Sequence, residues 1–362
     1  NNYSELIMAT YKEIKGVTIQ TLDSDPVEDK GTFSTGGDLN SGRSLAAAGD
    51  KTAGLGFGGY DGPPNARIDL TEKYDGTSWS EVNELNAGRY GMVGFGTQTA
   101  AIGAGGYASP PTPTPHRTQD VESWNGTNWT EVAELNSDMR SGTGFGTATA
   151  GYVIGGVRGG STSDAVESWN GSSWTETTEI NTARAGAAGA GITTAGLIFG
   201  GTTAAPAITG ITESWNGSAW TETSDMPTAA DSVFGGGTST LAAAAGGSVP
   251  SKITTLQLWD GSNWTTNPTG LAGQRSSGGT NSSPTQGNLL VTGGTGPGPT
   301  NYNPTATEEL SFPEPTAAIL TEGMIFLSGG TALKGFGKAG GIPTGSWASG
   351  GSMNTARSSQ SG

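Results

Sequence analysis

His116 is the only histidine in the 362 residues, and there is no cysteine. A disulfide framework, a thiolate metal site and a thiol nucleophile are therefore excluded, and one imidazole cannot build a histidine-rich metal centre. Carboxylates are more plentiful, with Glu131, Glu134, Glu176, Glu179 and Glu222 the obvious candidates. Glycoside hydrolysis needs two carboxyl groups facing one bond. These acids instead recur at one place in successive copies of a phrase, which reads as a solubilising edge on exposed strand positions. No Gly-x-Ser-x-Gly elbow and no phosphate-binding glycine loop appears. The expected protein is not an enzyme and takes no cofactor and no metal.

A second set of charged residues travels in pairs. Arg43, Arg89, Arg140, Arg184 and Arg275 each precede a glutamate: Glu72, Glu122, Glu167, Glu213 and Glu308. A fifth copy of the phrase has Ala230 and Gln257 at the matching positions, so both charges are missing together. A buried charge without a partner is costly, and joint loss suits an Arg–Glu contact made within one unit. Arg140 and Glu167 are thus expected to be structural.

The elements that must hold these residues are set by repetition. Five near-copies begin at Tyr74, Trp124, Trp169, Trp215 and Trp259, each reading aromatic, Asp or Asn, Gly, two small or polar residues, then Trp. Starts 50, 45, 46 and 44 residues apart mean one supersecondary unit copied along the chain. Each copy holds four short runs separated by turn signals, without helical periodicity. The first run is built from Gly, Ala, Ser and Thr, as suits strands converging on an axis. The second is apolar on both faces and ends in Gly-Gly; the third and fourth carry the tryptophans around an Asn-Gly or Asp-Gly hairpin. Four strands per unit make the blade of a β-propeller. Trp79, Trp124, Trp129, Trp169, Trp174, Trp215, Trp220, Trp259 and Trp264 are expected to be blade packing. Trp347 begins a surplus copy of the fourth-strand spacing.

The double glycine, the aromatic after it and the tryptophan a few residues on together resemble kelch repeats, over residues 43 to 312. The phrases Trp-Asn-Gly-x-x-Trp-Thr-Glu and Leu-Asn-x-x-Arg, with Ala9 to Gly16 (Ala-Thr-Tyr-Lys-Glu-Ile-Lys-Gly), also resemble the kelch-like virion proteins of tailed marine phages, especially those infecting cyanobacteria. The resemblance implies an all-β, six-bladed kelch-like β-propeller that serves as a virion structural protein on a tail, baseplate or capsid surface, with other virion proteins and a host-surface glycan or protein as partners. It implies assembly in a host cytoplasm. Kelch-type copper oxidases need a cysteine that this chain lacks. A carbohydrate-binding lectin or adhesin is the alternative reading, and a glycoside hydrolase a remote one.

Six sets of the first three strands begin near Arg43, Arg89, Arg140, Arg184, Ala230 and Arg275. The sixth has no tryptophan-bearing fourth strand after Leu310. Phe33, Leu39 and Arg43 reproduce the fourth-strand spacing, so residues 32–40 are expected to close the sixth blade. Trp347, Met353 and Arg357 have the same spacing and offer the alternative, C-terminal closure. The expected organisation is a terminal arm over 1–31, the propeller over 32–312, and an extension over 313–362 with a hairpin and a surplus strand.

Because the strands repeat, function is sought where copies differ, in the loops between second and third strands. The longest is Tyr107 to Arg117, stiffened by prolines. It contributes Tyr107, His116 and Arg117 to an expected binding face, with Tyr60, Asp61, Arg67, Arg158 and Tyr302 from neighbouring loops. A net charge of -15 and the lack of a basic patch argue against nucleic acid as the partner. No apolar run is long enough to span a membrane.

Overall fold

In a computed structural model of the chain, the described residues are 31–62, 67–108, 117–203, 207–277, 285–297, 304–312, 325–328 and 332–335. They divide between two units. Lys30–Pro313 is the propeller; the other unit is Asn1–Asp29 with Glu314–Gly362. In the latter, Ile325–Ser328 pairs antiparallel with Ala332–Gly335, the hairpin expected there. The surplus strand beginning at Trp347 and most of the 1–31 arm lie outside the described residues.

The propeller is all-β and six-bladed, with a single short 3-10 turn at Gln286–Asn288 among the described residues. Blade one shows the plan: Ser44–Asp50 innermost, then Ala53–Tyr60, Thr71–Tyr74 and Trp79–Val82, in that spatial order. Blades two to five repeat it with inner strands Val93–Thr97, Thr143–Thr147, Ala188–Ile192 and Phe234–Gly237. Consecutive inner strands pack directly on one another around the axis. Small residues allow that approach: a Cβ on Gly94 would lie 2.6 Å from the Ala47 carbonyl of the preceding blade.

Blade six joins the two ends of the propeller sequence. Thr32–Thr35 pairs antiparallel with Thr307–Ser311, which pairs in turn with Leu290–Thr292. Outside the ladder, Gly36 and Leu39 donate their N–H groups to the carbonyls of Thr307 and Thr305. Tyr74 then ties blade one to blade six by donating its hydroxyl to Glu309 at 2.5 Å. Burial and the carboxylate beside it push the Tyr74 hydroxyl up to about 12. The Thr32–Thr35 strand completes blade six, so the first and last units of the propeller sequence meet within one blade.

The nine described tryptophans are buried, and their two positions do different work. The third-strand indoles of Trp124, Trp169, Trp215 and Trp259 donate to carbonyls in the first-to-second-strand turn of their own blade, at 2.9–3.0 Å. The fourth-strand indoles reach back to the preceding blade. Trp129 donates to Thr71 Oγ1 and Trp264 to Thr212 Oγ1, at 2.9 and 3.0 Å, while Trp79 of blade one donates to Thr307 Oγ1 of blade six. The hairpin between them is closed by its Asp or Asn, as where Asn125 Oδ1 accepts from the Thr127 and Asn128 amides.

The Leu-Asn-x-x-Arg phrase is a clamp on the buried third-strand glutamate. In blade four, Glu213 Oε2 accepts from the backbone and side chain of Asn181, both at 2.7 Å, and Oε1 accepts from Arg184 at 3.0 Å. Arg184 and Glu213 side chains are both 0% exposed. Arg43–Glu72, Arg89–Glu122 and Arg275–Glu308 repeat the ion pair. Burial pushes the guanidiniums of Arg184 and Arg275 down, against the pull of Glu213 and Glu308.

Blade three departs from the expected pairing. Glu167 takes Arg158, at 2.5 Å, and not Arg140. The cause is register: four residues after the buried leucine or isoleucine stand Arg43, Arg89 and Arg184, but four after Leu135 stands Met139. Met139 fills the arginine slot at 0% exposure, and a loop arginine supplies the charge. Arg140 is one position further on, in the register of Tyr90. In blade five, where both charges are gone, Gln257 accepts from the Thr228 amide and donates to the Thr228 carbonyl.

Candidate functional site

The double glycine ending each second strand starts the variable loop. A Cβ on Gly59, at φ +123°, would fall 1.9 Å from the Ser44 carbonyl, so the chain can bring the loop base against the entry to the inner strand only with glycine there. The residues just after the double glycine and just after the arginine slot are thereby drawn together. Arg89–Tyr90 pairs with Tyr107–Ala108, with Tyr90 opposite Tyr107. Tyr60 bridges to Arg67 across the blade-one loop, and Arg140 to Val157.

This backbone frame assembles five side chains over blades one to three. The Tyr60 and Tyr90 rings are 5.6 Å apart and the Tyr90 and Tyr107 rings 5.3 Å, all tilted. The Arg67 guanidinium lies 4.9 Å from the Tyr107 centroid and 5.8 Å from that of Tyr90. Arg140 lies 5.7 Å from the Tyr107 centroid. These are cation–π distances. All five side chains are half-buried.

Among the eight described arginines, six have a carboxylate partner. Arg67 and Arg140 have none, and the Nε of each is buried without a hydrogen bond among the described residues. Both uncompensated cations meet at one tyrosine in a chain of net charge -15. The equivalent inner-strand entries of the other blades carry Ser44, Ala185, Asp231 and Ser276, so the aromatic and cationic character belongs to one sector.

The residues expected on the binding face separate into groups. Tyr60, Arg67 and Tyr107 come together. Asp61 is exposed beside them. Arg117 and Arg158 are held at loop bases: Arg117 Nε donates to Asp138 Oδ2 at 3.1 Å, and Arg158 Nη1 donates to Ser137 Oγ at 2.6 Å as well as to Glu167. His116 and Tyr302 lie outside the described residues. Tyr90 and Arg140 complete the cluster although the loop pattern does not select them. Counting from the preceding leucine would have found both, since that count puts Arg140 beside Tyr90 and out of the clamp.

Elsewhere among the described residues the carboxylates do not converge on a site. Glu131, Glu134, Glu176, Glu179 and Glu222 are exposed on or after outer strands, and the third-strand glutamates are engaged in their clamps. Asp231 is the exception. Burial pushes its carboxyl upward, and only Oδ2 has a hydrogen bond, from Thr202 at 3.3 Å. No group of three or more His, Cys, Asp or Glu able to hold a metal occurs among the described residues, and no described helix is long and apolar enough to cross a membrane.

The fold defined by these blades is that of a six-bladed β-propeller, and it is similar to a solved structure titled "Structure of YjhT". The TM-score is 0.63 at 16% sequence identity, covering 75% of this chain and 95% of that one. At that identity the likeness concerns the fold. No protein-family model matches the chain, and no curated protein matches it.

Proposed function

We propose that this chain is a non-enzymatic recognition propeller of the kelch type, carried as a structural component on the virion of a tailed phage. Its loop face meets a host surface or a neighbouring virion protein from a tail, baseplate or capsid position. The observation that carries the reading is the Tyr60–Tyr90–Tyr107 row with Arg67 and Arg140. It is a half-buried aromatic and cationic sector on an otherwise acidic protein, set where the copies differ. Tyrosine and arginine are the side chains that most often dominate binding energy at interfaces. The virion assignment is supported by the Trp-Asn-Gly and Leu-Asn-x-x-Arg phrases and by the Ala9–Gly16 segment. Quantitative mass spectrometry of purified particles tests it. The chain is expected at a fixed copy number per particle, and its absence from particles would defeat the assignment.

A lectin or adhesin outside any particle is a second reading, favoured by the tyrosine row, which offers sugar rings a stacking surface. Binding to a glycan array by a chain that is absent from particles would favour it.

A further inference from the structure

We infer that the Tyr60, Tyr90, Tyr107, Arg67 and Arg140 cluster binds an anionic saccharide, a sugar chain carrying carboxylate or sulfate groups. This rests on the loop face being a binding surface, and it names the ligand class for that face.

The charge requirement comes from the two arginines. Six described arginines satisfy their guanidinium with a carboxylate of this chain, so such pairing is the rule here. Arg67 and Arg140 break it together, at the same ring. Arg140 does so despite standing one residue from a slot where it would have met Glu167. A guanidinium presents its donors in a planar fork matched to carboxylate and to other oxyanions, and such charge-assisted bonds are the stronger ones. Cation–π contact with Tyr107 holds both guanidiniums beside one ring.

The sugar requirement comes from the tyrosines. Three half-buried rings in sequence, 5.6 and 5.3 Å apart, make an extended aromatic strip. Sugars present alternating apolar faces and hydroxyl edges, so a strip of this kind matches successive units of a chain. The backbone is preorganised too, because Tyr90 and Tyr107 lie opposite each other in a strand pair and Tyr60 is bridged to Arg67. Preorganisation lowers the ordering cost of binding.

The experiment is calorimetric titration of the full chain with three oligosaccharides of similar length: galacturonate, sulfated galactan and neutral galactan. At least one anionic oligomer is expected to bind at least tenfold more tightly than the neutral one, and its affinity to fall with added salt. The better anionic arm identifies which charged group is preferred. Arg67→Gln/Arg140→Gln is expected to abolish that preference while lowering the melting temperature by no more than about 4 °C, the loss of its cation–π contacts, and Lys252→Gln on the blade-five loop to leave the preference unchanged. Equal affinity for charged and neutral oligomers, no binding of any of the three, or an intact preference in the double variant would overturn the inference. Those outcomes leave the recognition role standing, because adsorption of the same protein to host cells measures that role separately.

Discussion

Replacing Arg184 by Met, Glu213 by Gln, and both together tests the clamp that holds each blade. Both replacements are solutions the protein already uses: Met139 fills the arginine slot of blade three, and Gln257 replaces the glutamate of blade five. Arg184→Met leaves Glu213 fully buried, with Asn181 still donating twice to it but no cation beside it. Breaking a buried ion pair from one side costs about 3–5 kcal/mol. In a unit as large as Lys30–Pro313, each kcal/mol corresponds to roughly 2 °C, so the single variant should melt about 6–10 °C lower. Glu213→Gln alone strands the Arg184 guanidinium and should cost a similar amount. The double variant buries no net charge, and its methionine occupies much of the arginine's volume. It should recover at least half of the summed loss, giving a coupling of about 3 kcal/mol or more, at the top of the range for contacting residues. Calorimetric melts of the four proteins supply the cycle. Additive losses in the double variant would refute the claim that the pair exists to neutralise buried charge.

Three further outcomes follow from the same geometry. Arg158→Ala should destabilise by about 3 kcal/mol because it uncovers Glu167, whereas Arg140→Ala should cost no more than about 1 kcal/mol, the size of a cation–π contact; chemical denaturation of the two variants distinguishes the registers. Asp231 has its folded carboxyl pushed up by burial, so the ionised form penalises the fold above the ordinary aspartate range. Asp231→Asn should therefore raise the melting temperature at pH 7, with the gain vanishing as pH falls below that range, and a gain that persists at pH 3 would contradict the burial argument. Removing residues 1–42 takes away Thr32–Thr35, the Asn40 donors to Glu72 and the approach to Arg43. Cooperative unfolding should be lost, and a truncated chain that melts like the whole one would contradict closure by that strand.

The blades were legible in the sequence because their determinants are local and repeated. Gly-Gly, Asn-Gly and paired tryptophans each mark a fixed place in the strand order, and five copies make the period unmistakable. The pairing of Thr32–Thr35 with Thr307–Ser311 could be read for the same reason, since Phe33, Leu39 and Arg43 keep the spacing of the repeat. The site was only partly legible. Tyr60, Arg67 and Tyr107 stand in loops that vary, and variation pointed to them. Tyr90 stands inside a strand pair, and Arg140 sits one place beyond a slot filled by arginine in other copies. A shift of one residue turns a strand side chain to the other face, and here it moves an arginine from a buried clamp to the cluster. The substitution of Arg158 for the missing clamp partner involves a loop conformation, which repeat spacing does not encode.

The proposed recognition runs through the blade-one-to-three sector of the loop face. Adsorption of the labelled full chain to cells of the host that the proposed virion role requires is to be measured for the unaltered protein and for Arg67→Gln/Arg140→Gln. Saturable adsorption is expected, at least tenfold weaker in the double variant, whose melting temperature falls by no more than about 4 °C. Undiminished adsorption by a folded double variant would contradict it.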